Sequence, residues 1–270
     1  AREVLEIIAS QISLYIEKLK DENELIEAKE RAVKSDKLKT AFLNNISHEI
    51  RTPLSGILGF GSFLLDADPS EEERTHYKKI IEDSTLRLTN TINDYMDISL
   101  LTSGNMTNYP ANFEVLPMVN ELGEMLINMC QAKNLHAEIL TNGLPANYTI
   151  LADRELIKKA ITHLLNNAVK FTPEGTITFS VVLESGILRF MVKDTGIGIS
   201  EEAKERIFQH FGQEEITPTR NYEGSGLGLT IAKGIAELYN GKIYVESFKG
   251  KGSEFCFDFP VVDTTVAEKQ

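Results

Sequence analysis

Phe42-Leu43-Asn44-Asn45-Ile46-Ser47-His48-Glu49-Ile50-Arg51-Thr52-Pro53-Leu54 is the stretch around which the chain is organised. Phe42, Ile46, Ile50 and Leu54 recur every four residues, so on a helix they form one apolar stripe. His48 lies two residues from both Ile46 and Ile50, which at about 100° per residue turns it away from that stripe. A neutral imidazole facing outward can act as a nucleophile. Glu49 is placed to hold or deprotonate the ring, and Thr52, one turn on, brings a hydroxyl to nearly the same face. Pro53 has no N–H for the carbonyl four residues back, so a bend is expected just past the histidine.

A single exposed histidine on a helix is ordinarily only surface, and periodicity alone goes no further. The ordered string Ser47-His48-Glu49-Ile50-Arg51-Thr52-Pro53-Leu54 is more specific. It resembles the phosphoacceptor motif of sensor histidine kinases, including the His-Glu-x-x-Thr arrangement. The resemblance implies that His48 takes a phosphoryl group with help from Glu49.

Upstream, the chain from Leu5 to about Asp36 has neither Pro nor Gly. Leu5, Ile8, Ile12, Tyr15, Leu19, Ile26 and Val33 fall on a heptad seam interrupted by Glu22 and Lys29. That pattern reads as a parallel dimeric coiled coil with a weakened middle, or as one amphipathic helix packed on its own domain. Downstream, the His48 helix continues through Ile57 and Leu64 and is expected to stop near Asp66-Ala67-Asp68-Pro69. Ser70 followed by Glu71-Glu72-Glu73 starts a second helix to about Leu101, with Tyr77, Ile81, Ser84, Leu88, Tyr95 and Ile98 on one face. A hairpin of two such helices cannot bury both apolar faces alone. Two copies closing a four-helix bundle would, so a homodimer is expected.

The 270 residues suffice for one to three domains, and 42% hydrophobic with 25% charged residues is ordinary globular composition. A formal net charge of −12 argues against nucleic acid or an anionic membrane as a general partner. No apolar run approaches the ~20 residues that cross a bilayer, so no membrane contact is expected within this chain. The start has neither Met nor a signal-peptide pattern and reads as the middle of a helix, with any sensor or membrane segment upstream. Cys130 and Cys256 are far apart and lack metal-type spacing, which fits two reduced thiols in a cytoplasmic protein.

Beyond Thr102-Ser103-Gly104-Asn105 the pattern becomes mixed. Helices are predicted over Leu116–Lys133, Asp153–Phe171 and Gly228–Tyr239. Strands are predicted over Ala137–Leu140, Thr176–Leu183, Ile187–Val192, Lys242–Ser247 and Glu254–Phe259. Glu184-Ser185-Gly186 and Lys249-Gly250-Lys251-Gly252 read as turns. The fold class is thus a helical hairpin followed by an α+β sandwich with helices on one face of a mixed sheet.

Two glycine clusters stand out, Asp194-Thr195-Gly196-Ile197-Gly198-Ile199 and Gly224-Ser225-Gly226-Leu227-Gly228-Leu229. Neither completes a dinucleotide fingerprint, and no Gly-x-x-x-x-Gly-Lys-Ser/Thr occurs. Gly226 and Gly228 precede a helix, where bare N–H groups suit phosphate oxygens. Asp194, leaving a strand, is a plausible acceptor for an exocyclic amine. Asn167 and Lys170 in Leu164-Leu165-Asn166-Asn167-Ala168-Val169-Lys170 share a helix face, offering an amide oxygen and an ammonium. Each element alone is compatible with an ordinary loop or a solvated helix face.

Taken together and in this order, they resemble the N, G1 and G2 boxes of the histidine-kinase ATPase domain, shared in outline with Hsp90, gyrase and MutL (a Bergerat-type ATP-binding fold). Ile207-Phe208-Gln209-His210-Phe211 resembles the F box, and Gly212 to Ser225 the mobile lid. The resemblance implies ATP and Mg²⁺ as cofactors, with Asn167 on the metal, Lys170 on phosphate and Asp194 on adenine. Gly226 and Gly228 would border the γ-phosphate, and Gly196, Gly198, Gly224, Leu227, Phe208 and Phe211 would complete the site. It further implies a response-regulator receiver domain as partner, with Thr52 serving a phosphatase activity. The implied boundaries are a coiled coil over 1–36, a dimerisation and phosphotransfer domain over 37–104, an ATP-binding domain over 105–262 and a tail over 263–270. A phosphatase-biased protein and an inactive nucleotide-binding scaffold are the alternatives. One position departs from the family: where a second Asn is common, one turn before Asn167, this chain has His163. Its ring is expected either to reach the phosphate region and make binding pH-dependent, or to pack at the domain's edge.

Overall fold

A computed structural model describes residues 15, 18, 20, 22, 25, 26, 29, 40, 43–65, 69–141, 143–204, 206–208 and 226–261. Of the heptad seam, Tyr15, Glu22, Ile26 and Lys29 are among these, each helical and exposed; the other seam positions lie outside the described residues. So do Phe42, Asp66-Ala67-Asp68, Phe211, Gly224, the expected lid and the tail. The chain separates into two compact units, 1–52 and 53–270.

Helix α1 covers residues 43–65. Ile46 and Ile50 are half-buried as expected, but Leu54 is 41% exposed and leaves the stripe. Pro53 is buried in its place, followed by half-buried Ile57, Phe60 and Leu64. The cause is geometric. Four-residue steps advance about 40° each around a helix, so a strict four-residue repeat drifts off any face, whereas alternating steps of three and four hold it.

Helix α2, Glu71–Thr102, begins on the Ser70 side chain, whose hydroxyl accepts from the Glu73 N–H while the Glu73 carboxylate accepts from the Ser70 N–H at 2.9 Å. Glu71, Glu72 and Glu73 lie at its positive end. Tyr77 packs against Phe60 and Phe63 of α1, with ring centroids 5.5 and 5.9 Å away. Gly56 of α1 lies close against Ser84 of α2.

The α/β part contains β1 (Ala111–Glu114), α3 (Val115–Ala132), β2 (His136–Leu140), β3 (Thr149–Ala152), α4 (Arg154–Phe171), β4 (Thr176–Glu184) and β5 (Ile187–Asp194). Short 3₁₀ turns at Glu201–Ala203 and Arg206–Phe208 follow, then α5 (Gly228–Leu238), β6 (Lys242–Phe248) and β7 (Gly252–Pro260). The main sheet has the order β2-β4-β5-β7-β6, parallel at β2–β4 and antiparallel elsewhere. Alternation decides its inner face: Ile177, Phe179 and Val181 of β4 and Leu188, Phe190 and Val192 of β5 are buried. Ile157, Ile161, Leu164 and Leu165 of α4, Met118, Leu122 and Leu126 of α3, and Ile231 and Ile235 of α5 are buried too. Each such side chain contributes roughly 1.5–3 kcal/mol. The β4–β5 turn places Ser185 at φ 51° and Gly186 at φ 76°, the left-handed pair that a two-residue hairpin requires. The small β1–β3 pair and the two 3₁₀ turns are additions to the predicted elements.

Candidate functional site

His48 is exposed on α1, beside half-buried Glu49 and exposed Thr52. The Thr52 hydroxyl donates to the His48 carbonyl at 3.2 Å.

The Asp194–Ile199 loop is held on three sides. At the end of α4 the Phe171 carbonyl accepts from Ile197 N–H at 3.2 Å. At the start of β4 the Thr176 carbonyl accepts from Thr195 N–H, and the Thr195 hydroxyl accepts from Thr176 N–H at 3.0 Å. From the β6–β7 hairpin, Gly250 N–H donates to the Ile197 carbonyl at 2.7 Å and the Ser247 hydroxyl accepts from Ile199 N–H at 2.8 Å. Three glycines allow this close approach, Gly196 among them because a Cβ there would collide with the Phe171 carbonyl. Gly198 has φ 62° and a Cβ there would collide with the Phe248 carbonyl; Gly252 has φ 92° and a Cβ there would collide with the Asp194 carbonyl. The protein's own packing thus requires Gly196 and Gly198 in the first cluster.

Asp194 is 5% exposed at the end of β5, its carboxylate accepting from Gly196 N–H at 2.8 Å and from the Ser253 backbone. Burial raises its pKa, and the two N–H donors oppose that rise. Such a fixed, desolvated acceptor suits a single exocyclic amine. Ser253 and Gly252 are partners that sequence reasoning missed; Lys249-Gly250-Lys251-Gly252 reads locally only as a turn.

Asn167 and Lys170 lie half-buried on α4, the Lys170 ammonium 4.8 Å from the Phe171 ring centroid. Leu227 is fully buried and its carbonyl accepts from Ile231 N–H, opening α5 with half-buried Gly226 and Gly228 at its N-terminus. A Cβ at Gly228 would come 2.8 Å from His163 Nδ1, so α5 begins against α4 one turn before Asn167. Amide, ammonium and helix N-terminus therefore stand on neighbouring segments, an arrangement suited to phosphates. Phe208 packs edge-on to Phe255 of β7 with centroids 6.3 Å apart. Phe211 and Gly224 lie outside the described residues.

The donor set fits Mg²⁺ delivered with a triphosphate. Among the described residues no group of three or more His, Cys, Asp or Glu could hold a metal alone. A lone amide oxygen matches a cation that keeps waters and takes phosphate oxygens as its other ligands.

His163 does not face open solvent. Its Nε2 is 3.7 Å from Asp94 of α2, and the two side chains are 16% and 21% exposed. One turn earlier Lys159 pairs with Asp97 at 2.6 Å, and Leu101 packs onto Gly234 of α5. Burial, with Lys159 adding to it, lowers the His163 pKa to about 4, so its ring stays neutral near pH 7. Burial and the neighbouring Asp97 raise Asp94 to about 6, against relief from Lys159.

These shifts act oppositely on stability. Between pH 4 and 6 the folded chain holds a proton on Asp94 that the unfolded chain has lost, so this contribution falls as pH rises. Between pH 4 and 6.5 the unfolded chain holds a proton on His163 that the folded one lacks, so this contribution rises with pH. Each amounts to about 3 kcal/mol across its window. The parent should therefore be nearly flat with respect to this pair. Asp94→Asn should gain urea resistance from pH 4 to 6.5, and His163→Asn should lose it from pH 4 to 6. Urea midpoints in half-unit pH steps test this; parallel profiles for both variants would refute it.

A helical hairpin carrying an exposed histidine is thus followed by an α/β sandwich that has a buried carboxylate at a strand end and a glycine-flanked helix N-terminus. Residues 38–104 match the His Kinase A (phospho-acceptor) domain, and residues 152–263 match the histidine kinase-, DNA gyrase B- and HSP90-like ATPase. The chain belongs to the sensor histidine kinases and comprises their core. It is 39% identical over 244 residues to the hybrid signal transduction protein dokA of Dictyostelium discoideum, covering 87% of this chain and 14% of that protein. It is 34% identical over 242 residues to the autoinducer 2 sensor kinase/phosphatase LuxQ of Vibrio parahaemolyticus, covering 87% of this chain and 28% of that protein. The chain thus spans well under a third of the length of these relatives. The crystal structure of full-length ShkA in complex with AMPPNP is 28% identical with a TM-score of 0.62, covering 84% of this chain and 46% of that one. No described helix is long and apolar enough to cross a membrane.

Proposed function

We propose that the chain transfers the γ-phosphoryl group of ATP to His48. A ring nitrogen attacks phosphorus, the bond to the bridging oxygen breaks, ADP leaves, and Glu49 takes the displaced imidazole proton. The outward His48, within the segment matching a phospho-acceptor domain, is the observation that carries this reading. Asp194 holds the adenine amine, Lys170 and the N-terminus of α5 at Gly226 and Gly228 hold the phosphates, and Gly196, Gly198, Leu227 and Phe208 shape the surroundings. Asn167 would hold Mg²⁺, which when bound neutralises phosphate charge. Exposed Leu54, Leu58, Leu86, Ile92 and Met96 on the hairpin support pairing with a second copy into a four-helix bundle. The phosphoryl group then passes to an aspartate of a response-regulator receiver domain. Incubating the parent with γ-labelled ATP and Mg²⁺ tests the reading: the expected product is an acid-labile, base-stable label. Firm ATP binding without label would favour a scaffold.

The kinase/phosphatase name of the Vibrio relative supports a second activity, dephosphorylation of the regulator, with Thr52 orienting the water. Thr52→Ala should keep autophosphorylation within about twofold and slow regulator dephosphorylation about tenfold or more. Equal losses in both assays would make Thr52 structural only.

A further inference from the structure

Ser247 lies near the end of β6, outside every motif singled out in the sequence, and is 3% exposed. Its hydroxyl is fully used. It accepts from Ile199 N–H at 2.8 Å and donates to the Gly252 carbonyl at 2.8 Å. It also lies within hydrogen-bond distance of the Ser253 hydroxyl, at 3.0 Å. Register gives these bonds their reach: Ser247 pairs with Ser253 across β6–β7, and Ser253 pairs with Asp194 across β7–β5. Ser253 gives its backbone N–H to the Asp194 carboxylate, and Gly252 lies flush on the Asp194 carbonyl. One hydroxyl thereby ties down both ends of the Asp194–Ile199 loop, the Ile199 end directly and the Asp194 end through Gly252 and Ser253.

We propose that Ser247 is a positioning residue for nucleotide-base recognition, setting where the Asp194 carboxylate meets the adenine amine. This rests on the proposed ATP site. Ser247 touches no nucleotide in this account; it acts through Asp194. A base-reading carboxylate displaced by a few tenths of an ångström loses its hydrogen-bond geometry, whereas phosphate contacts at Lys170 and the N-terminus of α5 lie on other elements and are unaffected. Removing the hydroxyl therefore erodes the preference for adenine over guanine, an effect that general loosening of the domain does not produce.

The experiment compares the parent with Ser247→Ala, Ser247→Thr and Ser247→Cys, measuring affinities for ATP and GTP with Mg²⁺ alongside melting temperature. The parent's own ATP binding comes first, because its absence would defeat the ATP reading itself. Given that binding, Ser247→Ala is expected to weaken ATP about tenfold and GTP less than threefold, so the ATP preference shrinks. Ser247→Thr, which keeps the hydroxyl, should restore the parent's preference. Ser247→Cys, near in size but poor at hydrogen bonding, should behave like Ser247→Ala and serves in its place if the alanine variant does not fold. Unchanged ATP affinity in the variants lacking the hydroxyl, or equal losses for ATP and GTP, would overturn the proposal.

Discussion

A His48→Ala variant is expected to incorporate no phosphoryl group from γ-labelled ATP, a loss of at least about a thousandfold, while binding ATP within about twofold of the parent. The size of the loss follows from chemistry: an alanine has no lone pair to attack phosphorus, and neighbouring Glu49 and Thr52 offer oxygens far less suited to the task. The retention of binding follows from organisation. His48 belongs to the unit 1–52, while Asn167, Lys170, Asp194 and Gly228 all belong to 53–270. His48 is exposed, so its truncation opens no core cavity. Phosphate incorporation and nucleotide titration on the same preparation check both halves. Residual label in the variant would point to another acceptor, and a large loss of ATP affinity would contradict the separation of nucleophile from nucleotide.

Features set by local rules could be read from the sequence. Ser70 and Glu73 announce the start of α2 by a reciprocal cap. Asp153 does the same for α4, accepting from Glu155 and Leu156 N–H at 3.0 and 3.3 Å. Period-two alternation predicts β4 and β5 and their turn. The same rules fail where non-local contact decides. Strand β1 is four residues with one half-buried side chain, and it becomes a strand only because β3 lies opposite. Leu54 leaves the stripe because a strict four-residue spacing drifts around the helix.

The candidate site divides the same way. Asp194, Asn167 and the glycines were legible because their residue types are unusual at those spacings. Ser247, Gly252 and Ser253 were not, because a serine at a strand end carries no local signal, and its role depends on the register of three strands. His163 stood out as a departure, but nothing near it in sequence could reveal Asp94, 69 positions earlier and 3.7 Å away. Its ring is therefore set by contact with α2 and α5.

Asp194→Asn is expected to weaken ATP binding by about two to three orders of magnitude with the fold retained. The carboxylate accepts on the protein side from Gly196 N–H and the Ser253 backbone, and in the proposed ATP site its remaining lone pairs would be offered to the adenine amine. Asparagine has the same shape but one acceptor oxygen and one donor nitrogen. If its oxygen faces Gly196 and Ser253, its NH₂ opposes the adenine amine, donor to donor. Turned the other way, it opposes the loop's own N–H groups and displaces the loop. Neither orientation satisfies both sides, and at 5% exposure water cannot enter cheaply to relieve the mismatch. Protonation has a related consequence. Because burial raises the Asp194 pKa, acidification converts one acceptor oxygen into a donor sooner than for a solvated aspartate. ATP affinity of the parent should therefore decline as pH falls toward the carboxylate range, while the already weak Asp194→Asn variant shows no matching decline. Titrations with ATP across that range, beside melting curves for both proteins, decide the matter. An Asp194→Asn variant binding ATP within threefold of the parent would remove Asp194 from base recognition.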